Sequence, residues 1–326
     1  MVLFLPKLKQ RGQLDPMHMT LCSVGSRKNN AQNDFGSQSW GLFAPNLSIY
    51  GFDADADACD AANLDLEARQ VNWTERHFPY AIANRVGDAT LYVTGDPQCS
   101  SLYPPNEPFL NRFGGIRDMV QLEFTVELET TTLDIALQEQ GIEAIDFCQI
   151  DVQGADLQVL QGASHLLAQS VLGIQIEVEF SSLYLNQPLF ADVDQFLRDR
   201  GFVLFDLATA RRSRGIVQSI YRPGQLLWAD AFYLRDPLQA PTEAFWRQPD
   251  RIFKLACIAD VLEFTDYALE LLQYLTIHYG HQPEYNFAEA IVASLGEVTE
   301  LVEVGLENIP FVQDLLPFLP QPIATP

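Results

Sequence analysis

The sequence predicts an α/β protein whose core is a doubly wound, mainly parallel β-sheet. Short apolar strands alternate with helical patterns over most of the chain, and this alternation produces βαβ units with parallel strands. The clearest unit covers residues 145–180, where a strand, a turn with Asp151, a helical pattern and a second strand with Glu177 and Glu179 follow one another. After Pro237 the pattern becomes helical, so a separate C-terminal region is expected.

Apolar or alternating runs bounded by Gly, Pro, Asn or Asp predict the strands. In chain order these are 19–24, 47–52, 77–83, 89–94, a short edge strand at 124–129, 145–150, 172–180, 202–207 and 226–234. The last two are expected to form an antiparallel pair. The loop between them carries Arg211, Arg212 and Arg214. These arginines could bind an anionic acceptor bidentately, or the loop could simply be solvated.

Helical spacing, with stop signals such as Gly201, predicts the helices. They cover 56–68, 132–140 with Thr131 or Thr132 as the cap, 154–169, 190–200 and the long apolar stretch 252–279. We divide the chain into a lead-in (1–17), an α/β domain (18–236) and a helical C-terminal region (237–326) with a Pro-rich tail that is expected to be disordered. Residues 241–326 carry 13 acidic and 3 basic side chains. This acidic surface is either solvated or contacts a second copy or a protein partner.

The composition excludes several classes of partner. The formal net charge of -23 disfavours binding to nucleic acid or to an anionic membrane surface, which normally needs a basic footprint. No apolar run reaches the roughly 20 residues of a membrane helix, and the first residues lack the features of a signal peptide. The five cysteines are scattered, so neither a disulfide framework nor a thiolate metal site is expected. The protein is therefore predicted to be cytoplasmic.

Three acidic residues are predicted to meet at one edge of the sheet. Ligands of open α/β sheets bind outside the carboxyl ends of the strands, and Asp151, Glu177 and Glu179 fall at such ends. Glu177 and Glu179 are two residues apart, so their side chains share a face, and mutual repulsion would raise a pKa as a base or a metal site requires. The alternatives are a solvated sheet end or pairing with Arg198 or Arg200. We predict catalytic acids and no metal.

Seven groups of segments, taken in their order, carry a family resemblance. They are SVGS at 23–26, YGFDAD at 50–55, ATLYVT at 89–94 with SSL at 100–102, TTLD at 131–134, IDFCQIDVQG at 145–154, EVEF at 177–180 with LY at 183–184 and QPLF at 187–190, and LLWADA at 226–231. This set resembles the FkbM family of class I S-adenosylmethionine-dependent methyltransferases over residues 18–236. The resemblance implies a Rossmann-like sheet of seven strands and methyl transfer to a hydroxyl of a small molecule, sugar or glycan.

The resemblance also implies a cofactor site for S-adenosylmethionine. Gly25 would let the backbone approach the cofactor, and Asp53 at the end of the second strand would accept the ribose hydroxyls. Asp53 could instead cap the helix at 56–68, a role that Asp55 could equally serve. Ser23 replaces the family's usual acid and loses a charge-assisted bond to the methionine ammonium. The predicted cofactor-binding residues are Ser23, Gly25, Ser26, Asp53, Asn84, Ser101 and Asp151.

Asp151 is the first candidate for the base that removes the acceptor proton, because it lies next to the expected sulfonium. It could alternatively cap the helix that begins near Gly154. A non-catalytic relative that serves as a binding scaffold is the second hypothesis, suggested by Ser23 and by Gln149, which stands where the family often has Lys. A nicotinamide-dependent dehydrogenase is disfavoured, because no Gly-x-Gly-x-x-Gly follows the first strand.

Overall fold

The computed structural model describes residues 2–27, 35–239 and 243–320. Within these residues the strands are β1 (Met19–Val24), β2 (Leu47–Phe52), β3 (Thr74–Phe78), β4 (Ala81–Ile82), β5 (Gly87–Thr94), β6 (Leu122–Thr131), β7 (Phe147–Ile150), β8 (Gly173–Glu179), β9 (Phe202–Arg212) and β10 (Gln225–Arg235). Seven of them form the central sheet, in the order β3-β2-β1-β7-β8-β10-β9. Strands β4, β6 and β5 form a second, small sheet.

The central sheet is mainly parallel, as predicted. The pairs β2–β3, β1–β7 and β7–β8 are parallel, whereas β10 runs antiparallel to both β8 and β9. The carboxyl ends of the parallel strands therefore meet at one edge, and β10 begins at that same edge. The predicted antiparallel pair at the end of the sheet is confirmed, although both of its strands are longer than expected.

Two sequence-based strand predictions differ from the structure. The predicted strand 77–83 is divided into β3 and β4 around Pro79, which has no N–H to donate to a ladder. The predicted edge strand 124–129 is the middle strand of the small sheet, because β6 pairs with β4 on one side and with β5 on the other. Most β6 side chains are exposed, so their pattern does not reveal that both backbone edges are paired.

Seven α-helices accompany the central sheet among the described residues. They are α2 (Ala56–Arg69), α3 (Glu107–Leu110), α4 (Arg117–Val120), α5 (Leu133–Glu139), α6 (Asp156–Gly162), α7 (Ser164–Gln169) and α8 (Phe190–Arg198). Apolar residues of α5 to α8 share a buried cluster with Cys148 and with Ile174, Ile176 and Val178 of β8. Because side chains alternate along a strand, the other face of β8 carries Gln175, Glu177 and Glu179.

The predicted helix over 154–169 is two helices. The chain leaves helical geometry at Ala163, and the Asp134 carboxylate accepts hydrogen bonds from the N–H groups of His165 (2.9 Å) and Leu166 (3.0 Å). Asp134 thus satisfies the donors that begin α7. Gly162 lies so close to β4 that a Cβ there would be 2.2 Å from the Ala83 carbonyl oxygen. The predicted cap of α5 is confirmed for Thr132, whose hydroxyl accepts from the Ile135 N–H.

A second compact unit comprises residues 1–19, 35–47 and 236–326. Its helices are α1 (Leu5–Gln10), α9 (Pro249–Val261), α10 (Thr265–Tyr279), α11 (Ala288–Leu295), α12 (Thr299–Val304) and α13 (Pro310–Leu315). The predicted helix 252–279 is interrupted between α9 and α10, where Glu263 takes a positive φ of 66°. Residues 321–326 of the predicted tail lie outside the described residues. The boundaries of the lead-in, the α/β domain and the C-terminal region stay a prediction.

Asp260 of α9 ties the first residues of the chain into this helical unit. Its buried carboxylate accepts from the N–H groups of Leu3 (2.9 Å), Phe4 (2.9 Å) and Leu5 (2.8 Å). These are the donors at the start of α1, which a carboxylate satisfies well. Among the described residues, no helix is long and apolar enough to cross a membrane.

We expect Asp260→Ala to lower the free energy of unfolding by about 3 kcal/mol, because three buried N–H groups lose a charged acceptor. Chemical denaturation measures the change. Asp260→Asn keeps one carbonyl oxygen and should lose about half as much. The exposed Glu303→Ala is the matched control and should change stability by less than about 0.5 kcal/mol. Equal stability of the wild type and Asp260→Ala would show that the carboxylate does not hold the first helix.

Candidate active site

Backbone hydrogen bonds join the ends of four neighbouring strands at the edge where the site lies. The Asp151 N–H, just after β7, donates to the Val24 carbonyl of β1 at 3.0 Å. The Gly25 N–H donates to the Phe52 carbonyl of β2 at 2.9 Å, and the Asp53 N–H to the Phe78 carbonyl of β3 at 3.2 Å. The predicted site residues Gly25, Asp53 and Asp151 are therefore neighbours along one continuous edge.

Gly25 occupies a position that no other residue can fill without moving the backbone. Its φ is +79°, and a Cβ there would lie 1.8 Å from the Asp151 carbonyl oxygen. A positive φ also strains most residues that carry a Cβ. The turn after β1 is thus pressed against the turn after β7, which brings the predicted cofactor turn next to the predicted base.

Asp53 and Asp55 divide the two roles that the sequence left open. The Asp53 carboxylate accepts from the Arg27 N–H (3.1 Å) and the Asp55 N–H (2.9 Å). The cap of α2 is Asp55, which accepts from the Ala58 N–H at 3.1 Å and also pairs with the Arg27 guanidinium. Burial raises the pKa of Asp53, against the opposing effects of these hydrogen bonds and of Arg27. Asp53 is therefore not the helix cap.

Ser23 and Ser26 bond within the protein. The Ser23 hydroxyl donates to Gln149 Oε1 at 3.2 Å, so the two residues that depart from the family pattern are partners. The buried Ser26 hydroxyl is 2.9 Å from His77 Nδ1, and His77 Nε2 is 3.2 Å from Glu75 Oε1. The sequence pattern did not predict this buried series of side chains.

Gly51 explains why Ser26 and His77 can meet. A Cβ at Gly51 would lie 2.2 Å from His77 Nδ1 and 2.6 Å from the Ser26 hydroxyl oxygen. The YGF segment of β2 thus lies against the turn that is predicted to bind the cofactor. The signal in the sequence was the glycine inside a strand, which often marks close approach of another group.

Gln153 bridges the first two predicted catalytic acids. Its Nε2 donates to Asp151 Oδ1 at 2.7 Å and to Glu177 Oε2 at 2.9 Å, and its Oε1 is 2.8 Å from the Tyr184 hydroxyl. The backbone of Gln153 is left-handed, with φ +56°. Burial raises the pKa of Asp151, and burial together with the charge of Asp151 raises the pKa of Glu177. Asp151 and Glu177 therefore retain a proton to higher pH than exposed carboxyl groups do.

Asp156 supports the turn that carries Asp151, although the sequence analysis assigned it no role. Its carboxylate accepts from the Val152 N–H (3.0 Å) and the Gly154 N–H (2.9 Å). Burial, followed by the charge of Asp151, raises the pKa of Asp156 to about 7. Asp156 accepts from the backbone amides just before α6, and Asp151 does not. Asp151 is therefore not the cap of this helix.

Glu179 is the most deeply buried of the predicted catalytic acids, with 3% of its surface exposed. Its Oε1 has no hydrogen-bond partner among the described residues. Burial and the charges of Asp156 and Asp151 raise its pKa well above the usual range of a glutamate. The suggested alternative partner Arg198 bonds Asp194 at 2.8 Å instead.

The remaining predicted cofactor residues, Ser101 and Asn84, differ in their surroundings. The buried Ser101 hydroxyl donates to the Gln153 carbonyl at 2.6 Å and accepts from the Tyr103 N–H at 3.0 Å, so it fixes the Gln153 turn. Asn84 is exposed and donates to Gln161 Oε1 at 3.1 Å. The cofactor contacts of both residues stay predictions.

The site combines a closely approached backbone turn with several carboxyl groups that resist ionisation. Asp230 of β10 lies opposite Glu177 of β8, and burial followed by the charge of Asp151 raises its pKa as well. Carboxyls with raised pKa values are suited to general acid–base chemistry near neutral pH. Within the described residues, no group of three or more His, Cys, Asp or Glu side chains is arranged to hold a metal ion.

Comparison with known proteins points to one family. Residues 45–204 match the family described as "Methyltransferase FkbM domain". A comparison with curated proteins returned no match.

Three solved structures are similar to this chain at low identity. Methyltransferase FkbM from Methylobacillus flagellatus KT is 12% identical, with 67% of this chain and 43% of that chain covered and a TM-score of 0.36. This chain thus spans less than half the length of that protein. The N-terminal domain of EvdMO1 with SAH bound is 11% identical (71% and 80% covered, TM-score 0.34). A SAM-dependent methyltransferase from Aquifex aeolicus is 11% identical (71% and 90% covered, TM-score 0.29).

The acidic site makes stability depend on pH. A carboxyl whose pKa is higher in the folded state than in the unfolded chain stabilises folding at low pH, and this contribution is lost as pH rises. For Asp156 the loss runs from about pH 4 to about pH 7. We expect the free energy of unfolding to fall less over this window in Asp156→Asn than in the wild type. Denaturant titrations across the window measure it, and identical slopes would contradict the assigned burial of the charge.

Proposed function

We propose, for a chain that belongs through residues 45–204 to the FkbM methyltransferase family, that it transfers the methyl group of S-adenosylmethionine to a hydroxyl oxygen of a small molecule, sugar or glycan. The observation that carries the proposal is the edge formed by Gly25, Asp53 and Asp151. There a turn without a Cβ, a strand-end carboxylate and a base with a raised pKa lie side by side.

The residues at this edge fit the cofactor in two respects. Gly25 lets the predicted cofactor turn pack directly against the backbone of Asp151, and each Asp53 oxygen accepts one N–H and retains a lone pair for a ribose hydroxyl. Ser23 supplies no charge for the cofactor's ammonium group, so Asp151 would provide the negative charge when it is ionised. Asn84 and Ser101 are further proposed contacts of the cofactor.

The proposed chemistry divides between the cofactor and the protein. When bound, the cofactor supplies an electrophilic methyl group on a sulfonium. Asp151 takes the proton of the acceptor hydroxyl, and its raised pKa makes the carboxylate a stronger base than an exposed aspartate. Gln153 donates hydrogen bonds to both Asp151 and Glu177, and Glu179 adds negative charge to the site when it is ionised. Much of the acceleration comes from holding the acceptor in line.

A binding scaffold without catalysis is the second candidate, and one observation favours it. The hydroxyls of Ser23, Ser26 and Ser101 are all used in bonds within the protein. A scaffold would retain the fold of the site and bind no cofactor, or bind it without turnover. In such a scaffold, the C-terminal helical unit would contact a second copy of the chain or a protein partner.

Calorimetric titration with S-adenosylhomocysteine tests the cofactor site. We expect micromolar binding to the wild type and at least a tenfold weaker affinity for Asp53→Ala, because charged acceptors contribute about 1.5–3 kcal/mol. The exposed Asp60→Ala on α2 is the matched control and should bind like the wild type. A folded wild type that binds no ligand would exclude the enzyme and leave the scaffold as the better account.

Asp151→Asn tests the base. We expect its kcat at saturating cofactor to fall about 10²- to 10⁴-fold. The affinity for S-adenosylhomocysteine should fall much less, by about tenfold, because the amide removes one negative charge near the ammonium group. The assay follows labelled methyl transfer to whichever acceptor emerges from a panel of hydroxylated small molecules, sugars and glycans. In the wild type the rate should rise with pH as Asp151 ionises, and this rise should disappear in the variant. Unchanged turnover in Asp151→Asn would assign the proton transfer to another group.

A further inference from the structure

The β9–β10 hairpin ends in an exposed apolar tip, defined as residues 211–222. Four of its large apolar side chains face solvent: Ile216 is 97% exposed, Val217 65%, Ile220 81% and Tyr221 95%. Single exposed apolar residues are common on protein surfaces, but several within one short loop usually mark an interaction site.

The same tip concentrates positive charge. Arg211, Arg212, Arg214 and Arg222 lie within it, and the sequence has no acidic residue between Asp206 and Asp230. The whole chain carries a net charge of -23, with only 20 basic residues. The average charge of the protein therefore conceals a local surface of opposite sign.

The base of the hairpin is held in place, so the tip projects from a fixed support. Arg214 forms a bridge with Phe113, whose ring lies 4.3 Å from the guanidinium carbon. The Gly215 N–H donates to the Arg112 carbonyl at 2.9 Å, and the Gly114 N–H to the Ser213 carbonyl at 3.2 Å. Beyond this base the apolar side chains of the tip are exposed.

The tip leaves the sheet at the edge that carries the candidate active site. Trp228 of β10 pairs with Glu179 of β8, so the start of β10 lies beside the carboxyl end of β8. Gln225 Nε2 also donates to the Ser181 hydroxyl at 3.0 Å, two residues after Glu179. A surface bound by the tip would thus lie at the edge where the acceptor is expected.

We propose that this tip docks the protein on the surface of an anionic lipid membrane. The arginines would pair with headgroup phosphates, and the aliphatic side chains and Tyr221 would enter the boundary between headgroups and acyl chains. The net charge of the rest of the chain repels such a surface, so contact through the tip alone fits the charge distribution. A nucleic acid would leave the aliphatic side chains unused, because single strands are bound by stacking on aromatic rings.

Contact with an anionic membrane differs from what the overall composition predicts. The net charge of -23 predicted no contact with an anionic membrane, but an average charge does not describe a hairpin that projects from the surface. The proposal does not depend on the methyltransferase chemistry. If that chemistry is correct, a membrane-presented acceptor would approach the site edge directly.

Co-sedimentation of the full chain with vesicles tests the docking. The probes are vesicles of phosphatidylcholine alone and of phosphatidylcholine mixed with phosphatidylglycerol. We expect the wild type to bind the anionic vesicles much more strongly, with binding that weakens as salt is added. Each arginine removed from the tip should weaken the apparent affinity on the order of fivefold.

Two double variants separate the charged and apolar contributions. Arg211→Gln with Arg222→Gln removes charge, and Ile216→Ser with Ile220→Ser removes apolar surface, and both should reduce binding to anionic vesicles. The matched control changes two adjacent exposed residues outside the tip, Arg85→Gln with Val86→Ser. This variant should bind like the wild type. All of the substituted side chains are exposed, and circular dichroism with thermal unfolding confirms that each variant folds.

Several results would overturn the proposal. These are a wild type that binds neither vesicle, tip variants that bind anionic vesicles as well as the wild type does, and tip-dependent binding to an RNA oligonucleotide without binding to vesicles. Calorimetry with S-adenosylhomocysteine on the same samples keeps the two proposals apart. Absence of cofactor binding would refute the proposed function and leave the vesicle result unaffected.

Discussion

The close approach of Gly25 to the Asp151 carbonyl is the contact on which the candidate site depends. With a Cβ at residue 25 only 1.8 Å from that oxygen, no side chain can be accommodated unless the two turns separate. Their contact sets the distance between the ends of β1 and β7, and the hydrogen bonds from Gly25 and Asp53 extend the same edge across β2 and β3. A sheet edge that is fixed in this way can present a glycine turn and two carboxylates to one ligand.

Burial of several acids beside this edge needs compensation, which comes from neutral groups. Gln153 donates to Asp151 and Glu177, and two backbone amides donate to Asp156. None of these donors carries a charge, so the carboxyls remain inclined to hold protons, and their pKa values rise. The strained backbone of Gln153, with its positive φ, is maintained by Ser101 and Tyr184. Strain that neighbouring groups hold in place is frequent at functional sites.

The distribution of charge separates two surfaces of different chemistry. The site edge is acidic and largely desolvated, whereas the hairpin tip at the same edge is basic, apolar and exposed. Their proximity follows from strand order, because β10 runs against β8 and begins where β8 ends. An antiparallel hairpin at the end of an otherwise parallel sheet thus brings a surface loop next to the strand ends that carry the acids.

The sequence by itself determined the central sheet and the position of most site residues along it. Apolar runs separated by helical spacing predict β1, β2, β7 and β8 almost residue for residue. This is possible because the burial of side chains repeats every two residues in a strand and every 3.6 residues in a helix. The motif resemblance placed Gly25, Asp53 and Asp151 at strand ends, and strand alternation placed Glu177 and Glu179 on one face. The side chain that caps α2 was undecided between Asp53 and Asp55, since both precede the helix.

Tertiary structure alone decided the features that depend on partners distant in the chain. The break in the helix near Ala163 requires Asp134, and the division of β3 from β4 requires pairing with β6. The chain Ser26–His77–Glu75 forms only because Gly51 leaves room for it, and Gln153 joins Asp151 to Glu177 across two strands. Local patterns record which face of an element is buried, but a hydrogen bond between side chains depends on distances that the folded backbone sets.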